Sequence, residues 1–278
     1  RAAFVDTGPA PGVPRLLATL HREHGRLPWA RLFEPALRLA EGGFAKTRRL
    51  ARLLGREEIL RADPAARALF YGGKRIVNRE YAAVLRTLAE SGADAFYRGP
   101  IAQDIVRAAR SDLTLEDLAG YRVVEREPLC GSYRGYRLCG MGPPSAGGVG
   151  VLQILGLLER TGFAGAKPSS TEAVHLFSEA ARLAYADRLR YVADPAFVPQ
   201  PVAKLLNPQY LESRAKLVGD RSMIFAVPGD PDAESAGTSH LSIVDADGNA
   251  VSMTSTIEHA FGSRLLVRGF LLNNQLTD

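Results

Sequence analysis

The chain has 278 residues, 46% hydrophobic and 23% charged, a globular composition with enough apolar material for a substantial core in one domain or two tightly packed lobes. Its net charge of +5 comes from the first third, where residues 1–100 hold 18 Lys/Arg against 10 Asp/Glu. Those arginines alternate with acids at helical spacing, as in Arg52, Arg56, Glu57 and Glu58, with no basic run interleaved with aromatics. A solvated helix face is therefore expected rather than a nucleic-acid surface.

From Pro14 to about Ser111 the pattern is helical. Leu17, Leu20 and His24 open it, Leu32, Ala36, Leu39 and Ala40 follow, and Val84, Leu85, Leu88 and Ala89 form a further apolar stripe. Thr114-Leu115-Glu116-Asp117 reads as the cap of a short helix. Tyr121 to Met141 predicts a hairpin around Arg134-Gly135. A two-residue turn there sets Cys130 opposite Cys139 in a non-hydrogen-bonded pair; a disulfide and two buried thiols both fit, and the spacing does not suggest a metal. Gly142 to Gly150 reads as a Gly/Pro loop opening a helix from Val151 to Glu159. Ser169-Ser170-Thr171-Glu172 then caps a long helix to Val192, and Asn207 to Val218 adds another. The long helix carries Glu179, Arg182 and Asp187, and no segment reaches 18 uncharged apolar residues, so no membrane span is expected. Strands dominate only from Ser239, and helices followed by antiparallel strands predict an α+β fold.

The most informative stretch is Gly237-Thr238-Ser239-His240-Leu241-Ser242-Ile243-Val244-Asp245. A run rich in Pro, Gly and Asp, 228–237, ends in a small hydroxyl residue at the head of an alternating strand. Asp247-Gly248-Asn249 turns the chain, and Ala250 to Thr256 returns as a second strand. If the bond before Thr238 were cut, the new α-amine would serve as general base for the hydroxyl of the same residue.

From Gly237 onward the sequence resembles the γ-glutamyltransferase (glutathione hydrolase) family of N-terminal-nucleophile hydrolases. The matching elements are Thr238-Ser239-His240, the Asp247-Gly248-Asn249 turn, Ser255-Thr256-Ile257, Phe261-Gly262-Ser263 and Gly269-Phe270-Leu271-Leu272-Asn273-Asn274-Gln275. Upstream, Gly12-Val13-Pro14 with Leu27-Pro28-Trp29, Tyr133-Arg134-Gly135-Tyr136, Pro143-Pro144-Ser145-Ala146-Gly147-Gly148, and Ala184-Tyr185-Ala186-Asp187-Arg188 running on to Asp194-Pro195 look like the same family, in its order. The resemblance implies a four-layer αββα sandwich, incomplete at both ends. Residues 1–237 would be the C-terminal part of a large-subunit region and 238–278 the start of a small-subunit region. The chain opens on Arg1 and stops inside a family motif, so it reads as a central piece of a longer protein whose compartment, periplasmic or secreted or cytoplasmic, is left open.

The same resemblance implies autocleavage between Gly237 and Thr238, giving two subunits from one precursor, with Thr238 as nucleophile and Thr256 as its hydrogen-bonding partner. Gln275 and Asp278 match positions that hold the α-amino group of a γ-glutamyl donor, whose acyl group passes to water or to an amine or peptide acceptor. Glu258 departs from the family pattern, which has an asparagine here touching the donor's α-groups. A carboxylate there would repel the donor's α-carboxylate unless it turned toward the ammonium, which keeps two alternatives in view: a cephalosporin-acylase-like amidase for another acyl group, and a non-catalytic, unprocessed relative. No cofactor is implied. The family's carboxylate-binding arginine lies upstream of this segment and its oxyanion-hole residues downstream, so the piece alone is expected to be inactive or very poor. His240 is read as structural, because the free α-amine supplies the base. His21 and His24 lack zinc-site spacing and a third ligand. Gly147-Gly148-Val149-Gly150 lacks the Lys-Ser/Thr of a phosphate loop and reads as a tight structural loop.

Overall fold

The computed structural model describes residues 11–109, 111–223, 226 and 238–274. In chain order these form α1 (Val13–His24), a 3-10 turn (Trp29–Phe33), α2 (Glu34–Gly42), β1 (Phe44–Ala45), α3 (Arg48–Leu54), α4 (Glu58–Ala62), α5 (Pro64–Tyr71) and β2 (Arg75–Ile76). There follow α6 (Arg79–Ser91), α7 (Asp94–Tyr97), α8 (Pro100–Ala109), α9 (Leu115–Gly120), β3 (Leu129–Tyr133), β4 (Tyr136–Gly140) and α10 (Gly147–Leu158). After a 3-10 turn (Gly162–Gly165) come α11 (Thr171–Tyr191), α12 (Val202–Leu205), α13 (Pro208–Ala215) and four strands. These are β5 (Thr238–Val244), β6 (Ala250–Thr256), β7 (Leu266–Val267) and β8 (Phe270–Leu271). The fold is α+β, and its strands pair as four antiparallel two-stranded sheets among the described residues.

Two compact units result, Arg1–Val123 with Glu234–Asp278, and Val124–Ala233. The first is built around α6 and α8. Asn78 caps α6 by accepting from the Tyr81 amide, and Ala82, Val84, Leu85 and Leu88 form its buried face. On α8, Ile101, Ala102, Ile105 and Ala109 recur on one side. They pack with Val84, Leu88, Phe96, Tyr97 and Leu118, and with Val267 and Leu272 from the far end of the chain. A second cluster joins Leu54, Leu60 and Ala66 to Phe261. Thr114 and Asp117 cap each other reciprocally at α9, as the sequence predicts. Two features differ from the sequence reading. Strands β1 and β2 interrupt the helical stretch, and they are too short for a period-2 pattern to reveal. The stripe of α1 buries no residue.

In the second unit, α10 packs along α11. The helix begins at Gly147 rather than Val151, so the glycines predicted as loop lie in its first turns. A close approach explains one of them: a Cβ on Gly148 would fall 2.3 Å from the Met141 carbonyl oxygen. Asp187, inside the family-like Ala184–Arg188 segment, is buried and held by three donors. Gln153 Nε2 (2.6 Å) and Tyr210 Oη (2.9 Å) donate to one carboxylate oxygen, Arg214 Nη2 (2.9 Å) to the other. Buried Glu179 accepts from Ser222 Oγ at 3.0 Å and the Met223 amide at 2.7 Å. Strands β3 and β4 pair around Arg134-Gly135, and Cys130 faces Cys139 in a disulfide, which decides between the two states the sequence left open.

Candidate active site

Strands β5 and β6 are set by seven-residue alternation on each side of a tight turn. Asp245 fixes that turn by accepting from the side chain and amide of Asn249 and from the Asp247 amide. The Asn249 side-chain bond, followed by the Asn249 amide, holds the Asp245 carboxyl below the usual carboxylate range. The register pairs Thr238 with Thr256, His240 with Thr254 and Ser242 with Ser252. His240, Ser242, Ser252, Thr254 and Thr256 share one face of the hairpin, and Leu241, Ile243, Val251 and Met253 share the other. The nucleophile predicted from sequence thus stands in register with its predicted partner.

His240 is held by hydroxyls on both ring nitrogens: Nδ1 lies 2.8 Å from Thr254 Oγ1, and Nε2 lies 3.0 Å from Ser242 Oγ and 3.4 Å from Ser252 Oγ. With both nitrogens engaged along the strand, the imidazole is fixed as part of the hairpin surface. His21 is likewise engaged, its Nε2 at 2.8 Å from the Leu27 carbonyl oxygen and its ring tilted against Trp29.

Beyond Thr256 the chain leaves the strand abruptly. Glu258 takes a positive φ of 71° and its amide donates to Thr256 Oγ1 at 2.9 Å. Its carboxylate is 13% exposed and committed within the protein: Oε2 accepts from Asn274 Nδ2 and lies 3.2 Å from His259 Nδ1. Asn274, buried, also accepts from the His259 amide at 3.1 Å and donates its own amide to the Ile257 carbonyl. Sequence reasoning assigns Asn274 no role beyond its motif; only the fold brings it to Glu258. Ile257 lines an open apolar cavity of about 520 Å³ with Leu39, Phe44, Tyr81 and Leu271.

Arg264 and Arg268 also have positive φ, and each is fixed by a distant carboxylate, Arg264 by Glu57 and Arg268 by Asp104. Gly269, φ 83°, sits where a Cβ would fall 2.2 Å from Asn78 Oδ1, and its carbonyl accepts from Asn78 Nδ2 at 2.7 Å. Gly237, Gln275 and Asp278 lie outside the described residues. No group of three or more His, Cys, Asp or Glu able to hold a metal occurs among the described residues.

Solved structures place this fold among the N-terminal-nucleophile hydrolases of γ-glutamyltranspeptidase and acylase type. The chain is similar to cephalosporin acylase from Bacillus halodurans, at 28% identity with a TM-score of 0.79 over 98% of this chain and 52% of that one. It is also similar to Helicobacter pylori gamma-glutamyltranspeptidase, at 30% identity with a TM-score of 0.72 over 81% of this chain and 69% of that one. The sequence model of gamma-glutamyltranspeptidase matches residues 7–278, and the chain belongs to that family. Among curated relatives, Acylase ACY 1 proenzyme of Pseudomonas sp. (strain SE83) is 38% identical over 91% of this chain and 48% of its own length. Glutathione hydrolase proenzyme of Escherichia coli (strain K12) is 36% identical over 92% of this chain and 47% of its own length. The chain spans about half the length of these curated relatives.

Proposed function

We propose that the full-length protein is an autoprocessing γ-glutamyl hydrolase or transferase with Thr238 as its nucleophile. The observation that carries this reading is the register setting Thr238 opposite Thr256 at the head of β5, in a chain of the gamma-glutamyltranspeptidase family. In this reading the Thr238 hydroxyl first attacks the Gly237 carbonyl. The acyl group moves from nitrogen to oxygen, which frees the α-amine, and hydrolysis of the ester then restores the hydroxyl and splits the chain into parts ending at 237 and beginning at 238. That amine then takes the hydroxyl proton as the same oxygen attacks the γ-amide of a glutathione-like donor, whose amine leaves. Water, or the amine of an acceptor, resolves the acyl-enzyme. Thr256 orients the nucleophile, and Gln275 and Asp278 hold the donor's α-ammonium, a carboxylate and an amide oxygen suiting a cation.

The test is intact-mass analysis of the purified full-length protein beside Thr238→Ala. Two fragments meeting at Gly237/Thr238 in the parent and one chain in the variant are expected. A single uncut chain in both would remove the free-amine mechanism and leave a non-catalytic relative.

A second reading, a related amidase for another acyl group, is favoured by Glu258. Its amide donates to Thr256 and its carboxylate is committed to Asn274 and His259, and in this reading that carboxylate disfavours a donor α-carboxylate. Two relatives named acylases accord with it. Faster hydrolysis of a glutaryl anilide than of a γ-glutamyl anilide by the mature protein would establish this reading over the first.

A further inference from the structure

The β3–β4 hairpin carries the chain's two cysteines on a face that the proposed chemistry does not use. Gly131 and Leu138 alternate with them, and a Cβ on Gly131 would come 2.9 Å from Leu152 of α10, so that face is the packed one. Cys130, Ser132, Arg137 and Cys139 share the opposite face, where Cys139, Ser132 and Arg137 are exposed and Cys130 is half-buried. Arg137 lies back along this face with Nη2 3.6 Å from Cys130 Sγ. The two sulfurs therefore differ: Cys139 is the open one, and Cys130 has a guanidinium beside it.

We propose that the Cys130–Cys139 bond is a thiol-exchange site that captures a small external thiol on Cys139. The thiolate attacks Cys139 Sγ, forming a mixed disulfide while the Cys130–Cys139 bond breaks. Cys130 leaves with the electron pair as a thiolate, its charge stabilised by the Arg137 guanidinium, and then takes up a proton from water. A second thiol attacks the captured sulfur and frees Cys139. Two thiols are thereby oxidised to one external disulfide, and the protein disulfide is reduced to two thiols. Both reducing equivalents come from the external thiol. Five backbone-paired positions keep the hairpin in register when the bond opens.

The experiment treats native full-length protein with N-acetylcysteine, quenches with N-ethylmaleimide and maps the peptides. The first product is expected to carry N-acetylcysteine on Cys139 and maleimide on Cys130, with the far-UV circular dichroism unchanged. Arg137→Ala should slow its formation about threefold or more, and Arg137→Lys should retain most of the rate. Capture only after unfolding, capture on Cys130, or an Arg137→Ala rate equal to the parent's would each overturn the proposal. The position of capture in the unsubstituted protein decides the matter even where a variant folds poorly.

Discussion

Glu258 combines a left-handed backbone, an amide given to Thr256 and a carboxylate given to Asn274 and His259. A non-glycine residue held at positive φ persists only when its surroundings over-determine it, and here three neighbours do so. The consequence for chemistry is an anchored acidic side chain one residue past Ile257, on the residue whose amide donates to the Thr256 hydroxyl. Glu258→Asn should raise kcat/KM for γ-glutamyl anilide relative to glutaryl anilide at least about tenfold, the scale of removing one charge–charge repulsion at several ångströms in a medium of effective dielectric about 20. An unchanged ratio would mean that Glu258 does not face the donor. Processing ahead of Thr238 should persist in this variant, which separates donor choice from maturation.

At the scale of elements, Asn78 does two tasks that belong to different levels of structure. Its Oδ1 caps α6 and its Nδ2 donates to Gly269, 191 residues away. Thr47 caps α3 through its hydroxyl, with the Leu50 amide as donor, and serves as the local comparison. Thr47→Ala should lower stability by about 1 kcal/mol, and Asn78→Ala by about 1 kcal/mol more, because a half-buried carbonyl then loses its partner too. Urea midpoints at unchanged m would check this, and Asn78→Asp, which keeps the cap acceptor and loses the donor, would isolate the distant bond. The same contrast explains what was legible beforehand. Caps at Thr114 and Ser170 and the hairpin ending at Thr256 follow from residues within a few positions of one another. The pairing of Asn78 with Gly269, of Glu57 with Arg264 and of Asn274 with Glu258 depends on chain segments that only the fold brings together. Local periodicity carries no trace of them, which is also why strand and helix patterns alone stop at α+β and the family resemblance was needed for more.

At the scale of the whole molecule, each unit carries a tyrosine whose phenol is pushed up to about 12. Tyr97 is raised chiefly by burial, and Tyr210 by burial and then by its bond to Asp187. Both folds thus favour the protonated phenol over the phenolate. Below the ordinary tyrosine value of about 10, folded and unfolded chains are both protonated and the full stability is present. Between about 10 and about 12 the unfolded chain ionises first, so stability falls across that window. Thermal midpoints measured from pH 8 to pH 11 should drop more steeply in the parent than in the Tyr97→Phe, Tyr210→Phe double variant. Parallel curves would assign the loss to other groups.

The ties made by residues 261–272 bear on the order of events in the proposed maturation. Phe261 fills a core with Leu54 and Leu60, Val267 and Leu272 fill another with Ile101 and Ile105, and Arg264 and Arg268 are clasped by Glu57 and Asp104. A chain nicked ahead of Thr238 would therefore be a non-covalent complex that has never been apart. While the precursor is whole, this seating is a unimolecular search at a fixed local concentration; once the pieces are separated it becomes a bimolecular encounter that weakens on dilution. If the proposed cleavage occurs, it would make folding hard to repeat, so assembly would have to come first and the cut second.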